Sequence, residues 1–522
     1  MLLKRLGRRG PNLFAYQKIY KGGNEMKRYM LARFLRSLFS IFMVITIVFT
    51  LIYSVIPRDR VFFSDSNIEK IQKRPDDYAN YKNLQWEKLG YLDYNTIQDY
   101  CKGLYGAATD EYINCVLPDS SETSEYVALY ENNGYDIQFF ETSGQAYATK
   151  DIAILQRALN WWGSLISIDY PSKIQSNSNP ELEQKIYIGT DHNSRPALMC
   201  SGCESKYLVY FDTNFPFIHQ NFIKFSLGTS YPSYNGQEIL DVFTESQGSK
   251  KTAEITLPNG NTANSALNLY TCKYKETLDN IDQKQFIDNY ADCKTNKQDP
   301  SMMSISFIIG FASLILTYII GIPLGIQMAN HKGRIFDKIG QWYIIFMISI
   351  PSLAYIILVR FVGGKAGLPG MFPMLGSSNV KSYILPIISL TLGAVAGRMM
   401  WMRRYMIDQT TMDYVKFARS KGLSENEIFF KHIFRNAIGP IAHGLPAAVI
   451  FCISGALITE AAYSIPGMGK VLPDSINVYN NSMVIGITFI FTTLAIFSTF
   501  LGDWLLTLVD PRITLHEKGG SK

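Results

Sequence analysis

The pattern of apolar and polar positions divides the chain into two kinds of sequence. Residues 37–57, 300–331, 339–359, 436–459 and 475–502 contain no Lys, Arg, Asp or Glu, and 382–397 is a shorter run of the same kind. At about 1.5 Å per residue, each longer run can cross a hydrocarbon core of about 30 Å. The short run, YILPIISLTLGAVAG, reaches that length only by including Arg398, at a cost of roughly 2.5–3.5 kcal/mol at a bilayer centre and much less near an interface. The pattern predicts six membrane helices, with Arg398 near the cytoplasmic surface.

Between 57 and 300 the apolar periods are short and often interrupted, in a block long enough for a folded domain. IAILQRALNWWGSLI (152–166) reads as an amphipathic helix and KYLVYFDT (206–213) as a strand. KTAEITL, a turn at Pro258-Asn259-Gly260 and the returning SALNLYTCKY read as a hairpin. NFIKFSLGTSYPSYNGQEILDVF ends in a helical pattern. Trp161 and Trp162 fit core packing better than an interface anchor or a ligand-stacking pair.

One polar stretch between two apolar runs, 408–440, has stronger local signals. Thr410 with Asp413, and Ser424 with Glu427, have capping-box spacing, and Gly422 lies where a helix end needs a residue tolerant of positive φ. Two short helices joined by a tight turn are expected. Tyr414, Phe417 and Ala418 share a face at i, i+3, i+4 spacing, while Lys416, Arg419 and Lys421 crowd the end that favours cations. That apolar face needs a partner. Further on, Glu460 meets the outer end of a run and Pro466-Gly467-Met468-Gly469 forces a non-helical turn.

Charge supplies the orientation. The whole chain is +6, yet about 33 acidic and about 22 basic residues lie in 57–300, so the positive surplus is in the ends and short loops. The loops at 331–338 and 403–435 are basic, as is the segment with Lys27, Arg28, Arg33 and Arg36. The positive-inside rule puts both termini in the cytoplasm and the 57–300 block outside. The segments are then a disordered cytoplasmic extension (1–25), a first segment and span (26–57), an extracellular domain (58–299), a five-span membrane domain (300–512) with inner loop 403–436, and a cytoplasmic tail (513–522). Met26 is a second candidate start. Without a soluble basic domain, no nucleic-acid partner is expected.

Six of the seven cysteines lie in the outside block. Six allow fifteen disulfide connectivities, of which the near-neighbour set Cys101–Cys115, Cys200–Cys203 and Cys272–Cys293 is the simplest. A zinc site at Cys200-Ser-Gly-Cys203 has no second ligand pair, so no metal is expected. His443 and Cys452 lie in the fifth run, and Met399-Met400 reads as packing. No G-x-x-x-x-G-K-[ST], H-E-x-x-H or G-x-S-x-G occurs. No catalytic residue or bound cofactor is expected, and any ATP would be hydrolysed by another polypeptide.

DYVKFARSKGLSENEI…HIFRNAIGP resembles the cytoplasmic coupling loop of permease subunits in binding-protein-dependent ABC importers. Ala418 and Gly422 fit the loose family signature. Lys416, Phe417, His432 and Arg435 depart from it in the manner of the dipeptide/oligopeptide/nickel branch. ITEAAYSIPGMGK resembles that branch's E-x-x-F-x-x-P-G-x-G element, with Tyr463 for Phe, and the 26–57 segment and the terminal DPR are similar too. The long outer block, with NFPFIHQNFIKFSLGTSYPSY, resembles the first permease subunit of Ami-type oligopeptide importers of Gram-positive bacteria, in which disulfides are seldom used.

The resemblance implies an α-helical polytopic protein of the type I importer fold, six spans with a large extracellular α+β insert between the first two. It implies four kinds of partner: a second, homologous permease subunit, two cytoplasmic ATPases, a lipid-anchored peptide-binding protein outside, and an oligopeptide substrate. Asp413, Tyr414, Phe417, Ala418, Gly422, Leu423, Glu425 and Glu427 would meet the ATPase, and Glu460, Pro466, Gly467 and Gly469 would form an outer gate. A dipeptide or nickel permease is the rival within the family. A membrane-anchored ligand sensor is the rival outside it, and the tail after Arg512 is too short for a signalling domain.

Overall fold

A computed structural model describes residues 13–509 except 107–108, 169–181, 192–193, 212–217, 245–251, 258, 267–268 and 296–299. Side chains are described between 31 and 505, leaving out in addition those of 235, 252–253, 255, 263–271 and 292–295. The tail 513–522, residues 1–12, Pro258 and the Cys293 side chain therefore lie outside the described residues.

The chain forms two compact units, one of Met1–Ile45, Ser306–Ile465 and Phe489–Lys522, the other of Thr46–Ile305 and Pro466–Thr488. The second holds the expected insert and also takes 466–488, of which the apolar pattern assigns 475–488 to the membrane. Asn480 explains this: its Oδ1 accepts from the Tyr231 backbone N–H at 3.3 Å and its Nδ2 donates to Ser233 Oγ at 2.7 Å. Asn481 Nδ2 donates to the Tyr91 hydroxyl at 3.2 Å. Two polar side chains at a helix start thus tie it to the insert.

Within the first unit, apolar helices correspond to most of the predicted runs. Leu31–Val55, Met302–Asn330, Lys381–Thr410 and Asn481–Leu505 are each long and apolar enough to cross a membrane. The third run is instead a bent pair, Ile335–Ser349 and Ser352–Lys365, at 105° to each other. Pro351 caps the second of these and has no N–H to continue the first. The fifth run, 436–459, departs further. It is a series of short helices, Arg435–Ala437, Gly439–His443 and Leu445–Phe451, broken where Gly439-Pro440 and Gly444 with Pro446 interrupt backbone bonding. Six continuous helices are therefore corrected to four plus a bent pair and a broken segment.

The first helix runs from Leu13 to Val55, so residues 13–25, expected to be disordered, are helical. Gly22-Gly23 does not stop it. The second and fourth helices, Met302–Asn330 and Lys381–Thr410, approach closely at two glycines four residues apart. A Cβ on Gly321 would lie 2.9 Å from Arg398 Cβ, and one on Gly325 2.8 Å from Met402 Cβ. Small residues at i and i+4 let two backbones meet without a hydrophobic driving force in lipid. Arg403, next along the fourth helix, donates from Nε and Nη2 to the two oxygens of the fully buried Asp337 at 2.6 and 2.9 Å. Gly333 N–H and Gln341 Nε2 donate to the same carboxylate.

The second unit is α+β. A three-stranded antiparallel sheet orders Leu92–Thr96, Ala146–Asp151 and Asp136–Phe139, with Leu92 opposite Asp151 and Thr96 opposite Tyr147. A four-stranded meander follows, Lys185–Thr190, Pro196–Ser201, Tyr207–Phe211 and Ile218–Gln220. Thr96, Ser120 and Thr109 each cap a helix by accepting a backbone N–H three residues on. The predicted amphipathic helix is Ile154–Ser164. The predicted hairpin holds for Thr252–Thr256 with Thr262–Ala266, but its returning half divides, and Leu269–Tyr274 pairs with Tyr290–Thr295.

Disulfides join Cys101 to Cys115 and Cys200 to Cys203. Cys272 is disulfide-bonded as well, on a strand whose register sets Lys273 opposite Ala291 and Thr271 opposite Lys294. Cys452 is free and buried.

Candidate functional site

The stretch after the fourth helix departs from its expected start. Thr410 belongs to the end of that helix and its hydroxyl donates to Ile407 O, so it caps nothing. The next helix is Asp413–Ser420 with Met412 at its N-cap. Asp413, at the favourable end of the dipole, pairs with Lys416 at 2.9 Å. Gly422 holds φ +75° and Leu423 N–H returns to Ala418 O, closing the helix. Ser424 Oγ accepts from Glu427 N–H at 3.3 Å and opens the second helix, which continues as a π-helix over Ile428–Phe434. A wide turn of this kind is uncommon and recurs at functional sites.

The expected face of Tyr414, Phe417 and Ala418 is split. Ala418 is buried beside Val415, Ile428, Phe429 and Ile433, in a cluster that also takes Met402 and Met406 of the fourth helix and Ala329 of the second. Tyr414 is half-buried against it and donates to Gln409 Oε1 at 2.8 Å. Phe417 alone of the three points outward, 62% exposed, with Lys421 Nζ 4.4 Å from its ring centre. The inner face thus belongs to this chain, and a partner is offered one aromatic ring. Val415, unmarked by the spacing argument, completes the inner face.

Glu425 and Glu427, expected to face a partner's cations, are paired within the chain. Arg419 donates Nε and Nη2 to the two Glu425 oxygens at 2.9 and 3.1 Å, and Lys431 to Glu427 at 3.0 Å. Those bonds hold both carboxyls below the usual carboxylate range. Such exposed pairs are weak and exchangeable, so the same carboxylates remain available to another cation.

A second group of residues surrounds a cavity of about 500 Å³. Ser306, Gly310, Ser313 and Thr317 line it at i, i+4, i+7 and i+11 along the second helix, a single polar stripe in an apolar run. Arg398 and Trp401 line it from the fourth helix, and Cys452, Thr459 and Glu460 from the chain before the glycine turn. Thr317 is buried and its hydroxyl has no hydrogen-bond partner.

Arg398 lines the cavity from within the fourth helix. It packs on Gly321, roughly 14 Å along the helix from Asn330, against a hydrocarbon core of about 30 Å. Its guanidinium stands 4.5 Å over the Tyr318 ring, and among the described residues no carboxylate pairs with it. The Tyr318 face and the cavity accommodate its charge.

At the other end of the cavity Glu460 is buried, its Oε1 accepting from Ser306 Oγ at 2.7 Å and from Ala456 N–H at 3.2 Å. Tyr463 is fully buried with its hydroxyl 2.8 Å from Ser389 Oγ, a partner that a Phe could not use. Arg360 donates to Ala462 O at 2.8 Å, and Ser464 takes the left-handed conformation that ends the helix Leu457–Tyr463. The chain from Ile465 through Gly467 is non-helical, and Gly469 lies in the turn after it.

His443 stands 3.6 Å from Asp503, which also pairs with Arg33, so it joins an ion cluster near the chain's last helix rather than a lone polar site. Met399 is buried among apolar neighbours. Among the described residues no three His, Cys, Asp or Glu side chains are placed to hold a metal ion. The sequence pattern missed Asp337 with Arg403, Ser389, and the stripe from Ser306 to Thr317, whose helical spacing was a usable signal.

Several bilayer-length helices, two of them meeting at a glycine pair beside a packed polar loop, define a multi-pass membrane protein. The chain belongs to the family of binding-protein-dependent transport system inner membrane components, whose pattern its residues 321–515 match. It is 40% identical over 509 residues to the oligopeptide transport system permease protein AmiC of Streptococcus pneumoniae, covering 95% of this chain and 100% of that one. The dipeptide transport system permease protein DppB of Bacillus subtilis is 31% identical over 217 residues, 41% of this chain and 69% of the relative. The peptidoglycan transport system permease protein YejB of Agrobacterium fabrum is 32% identical over 234 residues, 41% and 64%.

Proposed function

We propose that this chain forms half of the translocation path of an ATP-driven oligopeptide importer in the cell membrane. It pairs with a second, homologous permease subunit, is energised by two cytoplasmic ATPases that bind the ATP, and receives peptide from a lipid-anchored binding protein outside. The chain itself hydrolyses nothing and holds no cofactor. It crosses the membrane six times, counting the bent pair and the broken segment as one crossing each, with both termini cytoplasmic and the α+β insert extracellular. The full-length match to an oligopeptide permease supports the substrate class.

The observation that carries the mechanism is the split face of the short helix Asp413–Ser420. Phe417 fits a groove on the ATPase, a helix-in-groove contact with a single anchor. Val415 and Ala418, on the opposite side, press on Met402 and Met406. Met406, Met402 and Arg398 follow one another at four-residue spacing on the fourth helix. ATPase closure at Phe417 therefore moves the stripe that ends in the cavity. Arg398 offers a cation there to the carboxylates of a passing peptide, and Glu460 to Gly469 serves as the outer gate.

The test is uptake of a labelled oligopeptide in cells lacking this chain, complemented with the wild type or with Gly422→Trp. Gly422 has open space around its Cβ position but a positive φ, so the substitution strains the turn without clashing. Membrane insertion is expected to persist while uptake is lost. Full uptake through Gly422→Trp would overturn the coupling role, and uptake unaffected by deletion of the chain would overturn the transport assignment.

A further inference from the structure

Within the second unit a cavity of about 270 Å³ lies beside Arg157, a residue the transport mechanism does not use. Arg157 is 7% exposed. Its guanidinium is sandwiched between two aromatic faces, 3.8 Å from the Tyr53 ring centre and 3.9 Å from that of Tyr91. Its Nε and Nη2 are buried with no hydrogen-bond partner, and among the described residues no carboxylate pairs with it. Buried charges are ordinarily both paired and hydrogen-bonded, so a guanidinium held between two rings with no carboxylate leaves its positive charge to be met by an anion in the cavity it lines. Lys88 adds a second cation to the lining, Asn160, Ser164 and Thr229 add neutral polar groups, and no acidic residue lines the cavity.

The position of the cavity indicates the source of the anion. Tyr53 lies in the last turn of the apolar helix that ends at Val55, and Ser482, also in the lining, lies in the first turn of the helix that starts at Asn481. Both are ends of apolar segments, the level at which lipid headgroups sit. The helix Ile154–Ser164, which carries Arg157, donates from Trp162 Nε1 to Thr46 Oγ1, three turns down the first helix. On the face away from Arg157 the same helix exposes Leu155 and Leu159, and Ile166 and Phe225 are exposed on the strand pair that follows. That arrangement suits a helix lying at the membrane surface, apolar side to lipid and cation behind it.

We infer that the Arg157 cavity binds the phosphate group of a membrane phospholipid, fixing the insert to the bilayer beside the first helix. The inference rests on reading the two apolar helices as membrane-crossing and is independent of what is transported.

The full-length chain, purified in detergent and stripped of lipid, is mixed with phosphatidylglycerol or with inorganic phosphate, and bound lipid is counted by native mass spectrometry. One phosphatidylglycerol per chain is expected on the wild type, held about tenfold or more weakly by Arg157→Gln because the cation is lost. Lys88→Gln, at an exposed position, keeps the Arg157 sandwich and is expected to weaken binding by a smaller factor; it is the reading variant if Arg157→Gln does not fold. Equal lipid retention by wild type and Lys88→Gln together with equal retention by any folded Arg157→Gln would overturn the site. Binding of inorganic phosphate but not of lipid, or of neither, would overturn the phospholipid assignment. Peptide uptake by the same variants is scored separately, so loss of transport is not mistaken for loss of lipid.

Discussion

The stretch Asp413–Phe434 and the insert that lies within Thr46–Ile305 are built on opposite plans. The stretch Asp413–Phe434 is held by short-range devices: the Ser424 cap, the Gly422 turn, and ion pairs Arg419–Glu425 and Lys431–Glu427. Its one long-range anchorage is the apolar cluster with Met402 and Met406. The insert depends on non-local pairing, with strands 92–96 and 146–151 joined across about fifty residues and disulfides closing what its small cores do not. A small, polar segment can be specified locally. A folded domain of interrupted, Tyr-rich sequence needs staples and tertiary contacts.

The sharpest way to break the comparison is inside the membrane unit, where a single long-range contact is expected to matter more than any local one. Asp337→Ala leaves Arg403 without its carboxylate and strands Gly333 N–H, a loss of about 3–5 kcal/mol for breaking a buried pair. The expected result is a sharp fall in the amount of folded chain extracted in detergent, partly recovered by the double variant Asp337→Ala/Arg403→Met. Normal yield of the single variant would show that the inner loop does not depend on this clamp.

Reducing agent acts on the other side of the comparison. Opening Cys101–Cys115 frees a loop of about fifteen residues, worth about 3 kcal/mol, so Cys101→Ser/Cys115→Ser is expected to make the insert protease-sensitive while the membrane unit resists. Equal protease resistance before and after reduction would mean that the insert, too, is held by packing alone.

Arg398→Gln is expected to have a smaller and selective effect. Removing the cation from the cavity relieves the cost of burying it, so the amount of folded chain should hold or rise. Uptake of peptides with a free carboxyl terminus should fall several-fold relative to their amidated counterparts. An equal loss for both would make Arg398 a packing residue on Gly321 and Tyr318.

How much of this was readable from sequence follows the same division. Four of the six apolar runs, the Ser424–Glu427 box and Gly422 are local, and each of these is in place. Thr410 has the right spacing to Asp413 but is absorbed by the preceding helix, since nothing in four residues tells a cap from a continuing helix. The face of Tyr414, Phe417 and Ala418 was a correct helical face with the wrong partition, because which residue turns inward depends on Met402 and Met406. In the insert, Leu269–Tyr274 left the predicted hairpin for a partner some twenty residues further on, a register no local rule sets. Asn480 and Asn481 lie inside the apolar run 475–502, and their partners at Tyr231, Ser233 and Tyr91 are too distant along the chain for any local pattern to reveal.

The smallest effect concerns Glu425. Its carboxyl is held below the ordinary value near 4.5 chiefly by the Arg419 hydrogen bonds. The folded value being the lower one, the pair's contribution is fully present above about pH 4.5 and is lost as pH falls below that toward the folded value. At neutral pH Glu425→Gln should therefore leave insertion and stability unchanged, because an exposed pair contributes little. Uptake then separates two roles for the same carboxylate. If Glu425 only steadies the turn at Gly422, peptide uptake by Glu425→Gln equals that of the wild type at any ionic strength. If it exchanges Arg419 for a cation on the ATPase during closure, uptake falls, and wild-type ATPase activity in the assembled transporter loses part of its coupling as salt is raised, since an intersubunit pair is screened like any exposed one.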